Sequence, residues 1–179
     1  MNITAEEKKA LKGRGYIMCR DGNHFIARII TVDGTLDAHE MEVLNEAAQK
    51  YQEAFRLLPI LPLAAECGRS LLRAGKYSDF QEFYRNLPHD MQRWGRLLAQ
   101  RAEAAIAQKD FAAAQEILDD ESWEIADMRE GERLLSDLWY QLHTARLAEK
   151  EGTEIDESFK ARIRQEFPVP KRLDFRMNS

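Results

Sequence analysis

The sequence predicts a mainly α-helical protein built of antiparallel helix pairs, preceded by a small β-hairpin plus helix. Three observations favour this fold. Short β-branched runs separated by turn residues lie near the start of the chain, apolar residues recur at helical spacing over most of the remainder, and one stretch repeats after 34 residues. The chain has 179 residues, 44% of them hydrophobic and 32% charged, which is enough apolar material for a compact core.

The β-hairpin is predicted over residues 16–32. A short apolar run is followed by the turn residues Asp21 and Gly22, and a β-branched and aromatic run then continues to Val32. A helix is expected from about Asp37, because Asp37 and Glu40 have the spacing of a capping box. Its buried stripe is expected to contain Met41, Leu44, Ala48 and Tyr51.

Residues 11–16, 26–34 and 36–51 carry a resemblance to a known family. Together, over about residues 10–51, they resemble the start of the ferredoxin-like half-domain of nitrite and sulfite reductases. In that family the half-domain helps to enclose a sirohaem coupled to an iron–sulfur cluster. A four-iron cluster needs about four thiolates, whereas this chain has two cysteines, Cys19 and Cys67. The resemblance therefore transfers no catalytic residue, and no cofactor is expected.

The repeat lies in the middle of the chain. Residues 71–84 can be laid over residues 105–118 at an offset of 34, which places Tyr77 on Phe111 and Phe83 on Ile117. This is the tetratricopeptide period, in which an aromatic side chain fills the gap between the two helices of a pair. The sequence therefore predicts about three tetratricopeptide-like antiparallel helix pairs.

Proline and glycine mark the expected helix ends. Pro59 and Pro62 end the long N-terminal helix and begin the next one, and Gly75 lies where a left-handed residue is wanted after a helix. Further helices are expected over roughly residues 89–107, from about Leu134, and near residues 156–166, before an extended tail. The predicted domains are residues 1–51, with the hairpin and helix, and residues 52–179, with the helical array.

The C-terminal part carries a second resemblance. Residues 125–132, 135–140 and 170–177 are similar to the C-terminal tetratricopeptide-like segment of a family of large bacterial proteins of unknown function, and the likeness covers about residues 52–177. That family has sugar-binding-like β domains upstream, which this chain lacks. The resemblance implies a carbohydrate-associated helical module as one alternative.

Four aromatic residues are the candidate partner-binding residues: Trp94, Trp139, Tyr140 and Phe175. Solenoids usually bind partners on a concave surface that such side chains would line. The alternative is that the tryptophans fill the ends of the array. Phe175 lies in the tail beyond Pro168, and we expect this tail to dock on its own chain, with a docking peptide for another chain as the competing interpretation.

No group of residues predicts a catalytic, cofactor-binding or metal site. The four histidines have no metal-ligand spacing, and Cys67 is expected in a helix core. Acidic residues near Asp137 alternate with Arg129 and Arg133, which favours ion pairs on a solvated helix face. We therefore expect a protein that is not an enzyme.

Charge and composition narrow the class of partner. The net charge is −5, which disfavours nucleic acid, and no apolar run reaches the roughly 18–20 residues of a membrane span. Residues 116–157 have a charge balance of −10 and residues 158–179 one of +4, so the basic end is expected to dock on its acidic neighbour. With no signal-peptide core at the start, a cytoplasmic protein is expected.

The predicted function is a non-catalytic binding or scaffolding module for a protein or peptide partner, with a homo-oligomer also permitted. The alternatives are an accessory or degenerate relative of nitrite and sulfite reductases, and the carbohydrate-associated module.

Overall fold

The computed structural model describes the backbone of residues 17–21, 24–28, 38–123 and 132–175, and the side chains of residues 41–123 and 132–175. This part of the chain is mainly helical, which confirms the predicted fold class at that level. The chain forms two compact units, one ending at Ala74 and the other beginning at Gly75. The side chains of the predicted capping box, Asp37 and Glu40, lie outside the described residues.

The first unit has two short strands and two helices. Strands β1 (Ile17–Asp21) and β2 (His24–Arg28) are antiparallel, and β2 contacts helix α1 (Ala38–Leu57). Helix α1 packs on α2 (Leu61–Arg73), which begins with a proline in its first turn. Residue 51, the predicted domain boundary, lies inside α1.

The turn between α1 and α2 is apolar and exposed. Leu57 is 87% exposed, and Leu58 and Ile60 are also exposed. The buried residues of this pair lie along the two helices instead, and they include Ala48, Ala64, Cys67 and Leu71.

The second unit contains six helices and one 3-10 turn among its described residues. They are α3 (Tyr77–Arg85), α4 (His89–Gln92), α5 (Gly95–Ala107), α6 (Phe111–Asp119), α7 (Leu134–Glu151), α8 (Glu157–Glu166) and the 3-10 turn Lys171–Leu173. No helix in the described ranges combines the length and the apolar character needed to cross a membrane.

Helix α5 is the centre of the second unit. It packs against α3, α4, α6 and α7. Its buried residues include Gly95, Ala99, Ala102 and Ala105, whose small side chains let neighbouring helices approach closely on more than one side. A helix buried around most of its circumference is expected to carry little charge, and α5 has its few charged residues at half-buried or exposed positions.

The helix predicted over residues 89–107 is broken in the structure. Trp94 has an extended backbone, with ψ 136°, between α4 and α5. The Gln92 carbonyl accepts a 2.6 Å hydrogen bond from the Tyr84 hydroxyl, and the Gln92 side-chain amide donates to the Leu87 carbonyl at 2.8 Å. These contacts with the end of α3 hold the chain at the break, and they depend on tertiary packing that helix periodicity does not report.

Helix bounds repeat at the predicted offset. Helices α2 and α5 each have 13 residues, and α3 and α6 each have 9. Both helices of the second set begin and end 34 residues after those of the first. The turns repeat as well, since Gly75 and Lys109 are both left-handed, with φ 69° and 62°. The boundary between the two compact units falls in the first of these turns.

The left-handed Lys109 ends α5 in a closed turn. The Asp110 amide donates to the Ala105 carbonyl at 2.9 Å, and the Lys109 amide donates to the Ile106 carbonyl at 3.0 Å. This is the bond pattern of a Schellman motif, which normally uses glycine at the left-handed position. The Lys109 side chain instead reaches Glu149 of α7, with a 2.8 Å ion pair.

Substitutions at Gly75 and at Lys109 are expected to change the stability in opposite directions. Gly75→Ala is expected to lower the free energy of unfolding by about 1–2 kcal/mol, because an L side chain is strained at positive φ. An added Cβ meets no atom within 4 Å there, so the cost comes from the backbone. Urea unfolding measures it, and Gly75→Asn is the matched control with a smaller expected loss.

Lys109→Gly relieves the same strain but removes an exposed ion pair. The free energy of unfolding is therefore expected to stay the same or to rise by up to about 1 kcal/mol. A clear loss of stability in Lys109→Gly, or no loss in Gly75→Ala, would contradict this account of the turns.

Candidate functional site

An open cleft of about 500 Å³ lies between α5, α7 and α8 in the second unit. Its volume is within the range of ligand sites in proteins. Its lining combines apolar and aromatic side chains with cations, one carboxylate and uncharged polar groups: Ile106, Tyr140, Ala145, Ile155, Ile163, Arg133, Lys160, Arg164, Asp137, Gln141 and Thr144.

One face of α7 forms the longest wall of the cleft. Asp137, Tyr140, Gln141 and Thr144 follow each other at spacings of three, one and three residues, which keeps them on one side of a helix. The other side of α7 is buried, with Leu135, Leu138 and Leu142 among its core residues. Helix α7 therefore separates the cleft from the core of the unit.

The loop after α7 places Ile155 at the cleft. Gly152 ends α7 in a left-handed conformation, with φ 63°. Four residues later, the Asp156 carboxylate accepts from the Phe159 amide at 2.7 Å and caps α8. Ile155 lies between these two fixed ends and is 48% exposed, so its side chain offers apolar surface to solvent at the edge of the cleft.

The charged residues of the cleft are mostly cations. Arg133 forms a loose 3.4 Å ion pair with Asp137, and both side chains are about half exposed or more. Lys160 binds Glu157 at 2.7 Å, and this hydrogen bond lowers the pKa of the Glu157 carboxyl. Arg164 makes no ion pair or hydrogen bond with the residues that the structure describes, although its charge also acts on Glu157.

The structure brings Tyr140, one of the four candidate residues, into the cleft. Trp94 is half-buried at the start of α5, and Phe175 is half-buried near the end of the described chain; neither lines the cleft. Trp139 lies next to Tyr140 in sequence but is buried. Of the four candidate residues, Tyr140 alone is among the described residues that line this cleft.

Trp139 belongs to an aromatic cluster that holds the end of α8. Its indole nitrogen donates to the Phe167 carbonyl at 3.1 Å, and its ring meets the His143 ring edge-on at a centroid distance of 4.4 Å. The Phe167 ring stacks on the His143 ring at a centroid distance of 4.1 Å. Trp139 is therefore a packed residue of the second unit.

His143 is held as a neutral imidazole. It is 3% exposed, and its Nδ1 lies 2.9 Å from the Arg146 guanidinium, which has only donors to offer. The Nε2 atom therefore carries the hydrogen. Burial first and the Arg146 charge second lower the pKa of His143 to about 4, against a smaller opposing effect of Asp119.

The tail docks on its own unit as far as residue 175, the last that the structure describes. Leu173 is fully buried, and Arg172 donates to the Asp120 carbonyl at 3.1 Å. Arg162 also binds Glu151 at 2.6 Å. These contacts join the basic end to the acidic stretch before it, as the charge balance predicts. Met177 lies outside the described residues.

Of the residues that line the cleft, the sequence analysis identified only Tyr140 as a binding candidate, and the residues that it missed include Ile155, Lys160 and Arg164. The spacing of Lys160 and Arg164, four residues apart on a short amphipathic helix, is a signal for a shared basic face. An isoleucine within the otherwise polar loop 152–156 is a second signal, because such a residue has no local partner to bury it.

No cluster of three or more His, Cys, Asp or Glu side chains able to hold a metal occurs among the described residues. Cys67 is fully buried in α2, and burial raises the pKa of its thiol to about 12. It is therefore protonated at neutral pH, and a thiolate is what a nucleophilic cysteine needs.

No protein-family model, no curated protein and no solved structure matches this chain.

Cys67 is expected to resist thiol reagents in the folded protein. In a Cys19→Ser background, the Cys67 thiol is expected to react with a disulfide reagent at pH 8 only when α2 opens locally or the protein unfolds. The reaction is expected to be complete in denaturant. A cysteine introduced at the exposed Ser78 is the positive control. Rapid reaction of Cys67 in the native state would contradict its place in the core.

His143 makes stability depend on pH. The unfolded imidazole titrates near 6.5 and the folded one near 4, so between these values only the unfolded chain takes up the proton. The stabilisation is complete above pH 6.5 and is lost as the pH falls towards 4, on the order of 3 kcal/mol in all. Urea unfolding at pH 7, 5.5 and 4.5 measures it.

His143→Phe is the matched control, because it keeps a ring against Phe167 and removes the titration. Its stability is expected to fall less steeply than that of the native protein below pH 6.5. Parallel curves for the two proteins would show that His143 is not responsible.

Proposed function

We propose that this chain is a non-catalytic binding module that holds a peptide segment of a partner protein in the cleft between α5, α7 and α8. The observation that carries the proposal is the exposed Ile155 beside the half-buried Tyr140 in an open, ligand-sized space. Exposed apolar surface in a concave setting with a polar edge is typical of protein interaction sites.

The repeat in the helix bounds supports a tetratricopeptide-like array as the framework of this module. The offset of 34 recurs in the helix bounds and in two left-handed turns. Arrays of this kind stack helix pairs and present surfaces for binding rather than chemistry. The N-terminal hairpin plus helix is proposed as a small element that precedes the array.

The walls of the cleft are held in place before any partner arrives. Helix α8 is fixed by the Trp139 bond to the Phe167 carbonyl and by the ion pair between Arg162 and Glu151. Phe159 and Ile163 of the same helix are buried. A preformed site binds with a smaller loss of conformational entropy than one that orders on binding.

The composition of the lining suits binding more than catalysis. Among the residues that the structure describes, the lining contains hydroxyl, amide, cationic and carboxylate groups, and neither an imidazole nor a thiol. Nucleophilic catalysis needs a nucleophile within hydrogen-bond reach of a base.

A cytoplasmic location belongs to the same proposal. The reductase-related and carbohydrate-associated alternatives stay predictions from the sequence.

The proposal is tested with a displayed library of random 12-residue peptides, selected on the full chain. Recovered peptides are expected to lose most of their affinity for Ile155→Ser, because this change removes apolar contact surface from the cleft. Ile60→Ser is the matched control, since Ile60 is an exposed isoleucine in the first unit. Fluorescence anisotropy measures the dissociation constants.

Circular dichroism and melting curves check that both variants stay folded. If the library yields no peptide, or if its peptides bind native protein and Ile155→Ser equally, the cleft is not the binding site and the proposal fails.

A further inference from the structure

We propose that the partner segment is an acidic peptide with an aliphatic side chain, its carboxylates facing Arg133, Lys160 and Arg164 and its aliphatic group resting on Ile155 and Tyr140. This inference rests on the proposed function and adds the chemistry of the occupant.

The charge at the cleft is opposite to that of the whole chain. The protein has a net charge of −5, whereas the charged residues that line the cleft, among those that the structure describes, are three cations and one acid. A local excess of positive charge attracts acidic segments and repels basic ones. It therefore selects a partner of negative charge, and it affects this selection more than the strength of binding.

The cations differ in how far their charge is already compensated. Lys160 is engaged by Glu157 at 2.7 Å, and Arg133 meets Asp137 at only 3.4 Å. Arg164 has no ion pair within the described ranges. Its guanidinium is planar and presents paired donors, so it can bind a carboxylate with two hydrogen bonds. Arg164 is therefore the residue on which recognition of an acidic group depends most.

The apolar part of the cleft needs an anchor of matching chemistry. Ile155 is exposed at its edge, Ile106 and Tyr140 are half-buried, and Ile163 is buried beneath them. Covering this surface with an aliphatic side chain removes apolar area from water on both partners. A purely acidic peptide, or a free anion, would leave it uncovered.

The experiment reads the composition of the peptides recovered from the library, together with their affinity for charge variants of the full chain. Recovered peptides are expected to be enriched in Asp and Glu and in one aliphatic position. Arg164→Glu is expected to weaken their binding roughly five- to tenfold at low salt, and less at 0.5 M salt. Arg164→Gln is expected to have an intermediate effect.

Arg56→Glu is the matched control, because Arg56 is an exposed arginine at the end of α1, in the first unit. It is expected to leave the dissociation constant unchanged. Circular dichroism confirms the fold of each variant, and Arg164 is suited to substitution because it is exposed.

The outcomes separate the two proposals. Peptides that depend on Ile155 but show no acidic enrichment, or that bind Arg164→Glu as well as native protein, leave the binding function intact and overturn this inference. No Ile155-dependent peptide at all overturns both. A third outcome is that the native chain forms dimers, that Arg164→Glu abolishes them, and that the recovered peptides do not dissociate them. The occupant of the cleft is then a second copy of the chain, and the inference is wrong.

Discussion

The second unit depends on how closely its helices can approach α5. Small buried residues such as Ala99, Ala102 and Ala105 let α3, α6 and α7 pack against one helix. Close-packed interiors tolerate little added volume, so this crowding also decides which face of each neighbour is left outside. For α7 that outer face carries Tyr140, and the cleft exists because α8 packs against α7 and leaves this face partly uncovered.

Aromatic residues with similar sequence signals have different roles in this packing. Trp139 and Tyr140 are neighbours, yet one is buried against His143 and Phe167 and the other lines the cleft. A rotation of about 100° per residue along a helix separates the two roles. Residue type alone therefore identifies aromatic groups that matter for packing without saying which of them lines the cleft.

Local chemistry made much of the fold predictable. Pro62, Gly75 and the helical spacing of apolar residues indicate helix ends that the structure places within a few residues of expectation. The break at Trp94 was not predictable, because it depends on the Tyr84 hydroxyl reaching Gln92. The cleft was predicted only through Tyr140. Ile155 and Arg164 come together with it by the packing of α8 on α7, which no periodicity in the sequence encodes.

The shortness of α8 links occupancy of the cleft to the order of the chain's last part. A helix of 10 residues has little stability by itself, so α8 persists through its contacts with α7. Since Lys160, Ile163 and Arg164 form one wall, anything held there also holds α8 closed against fraying. Slower hydrogen exchange of the α8 backbone amides would therefore reveal a bound partner without an optical or enzymatic readout.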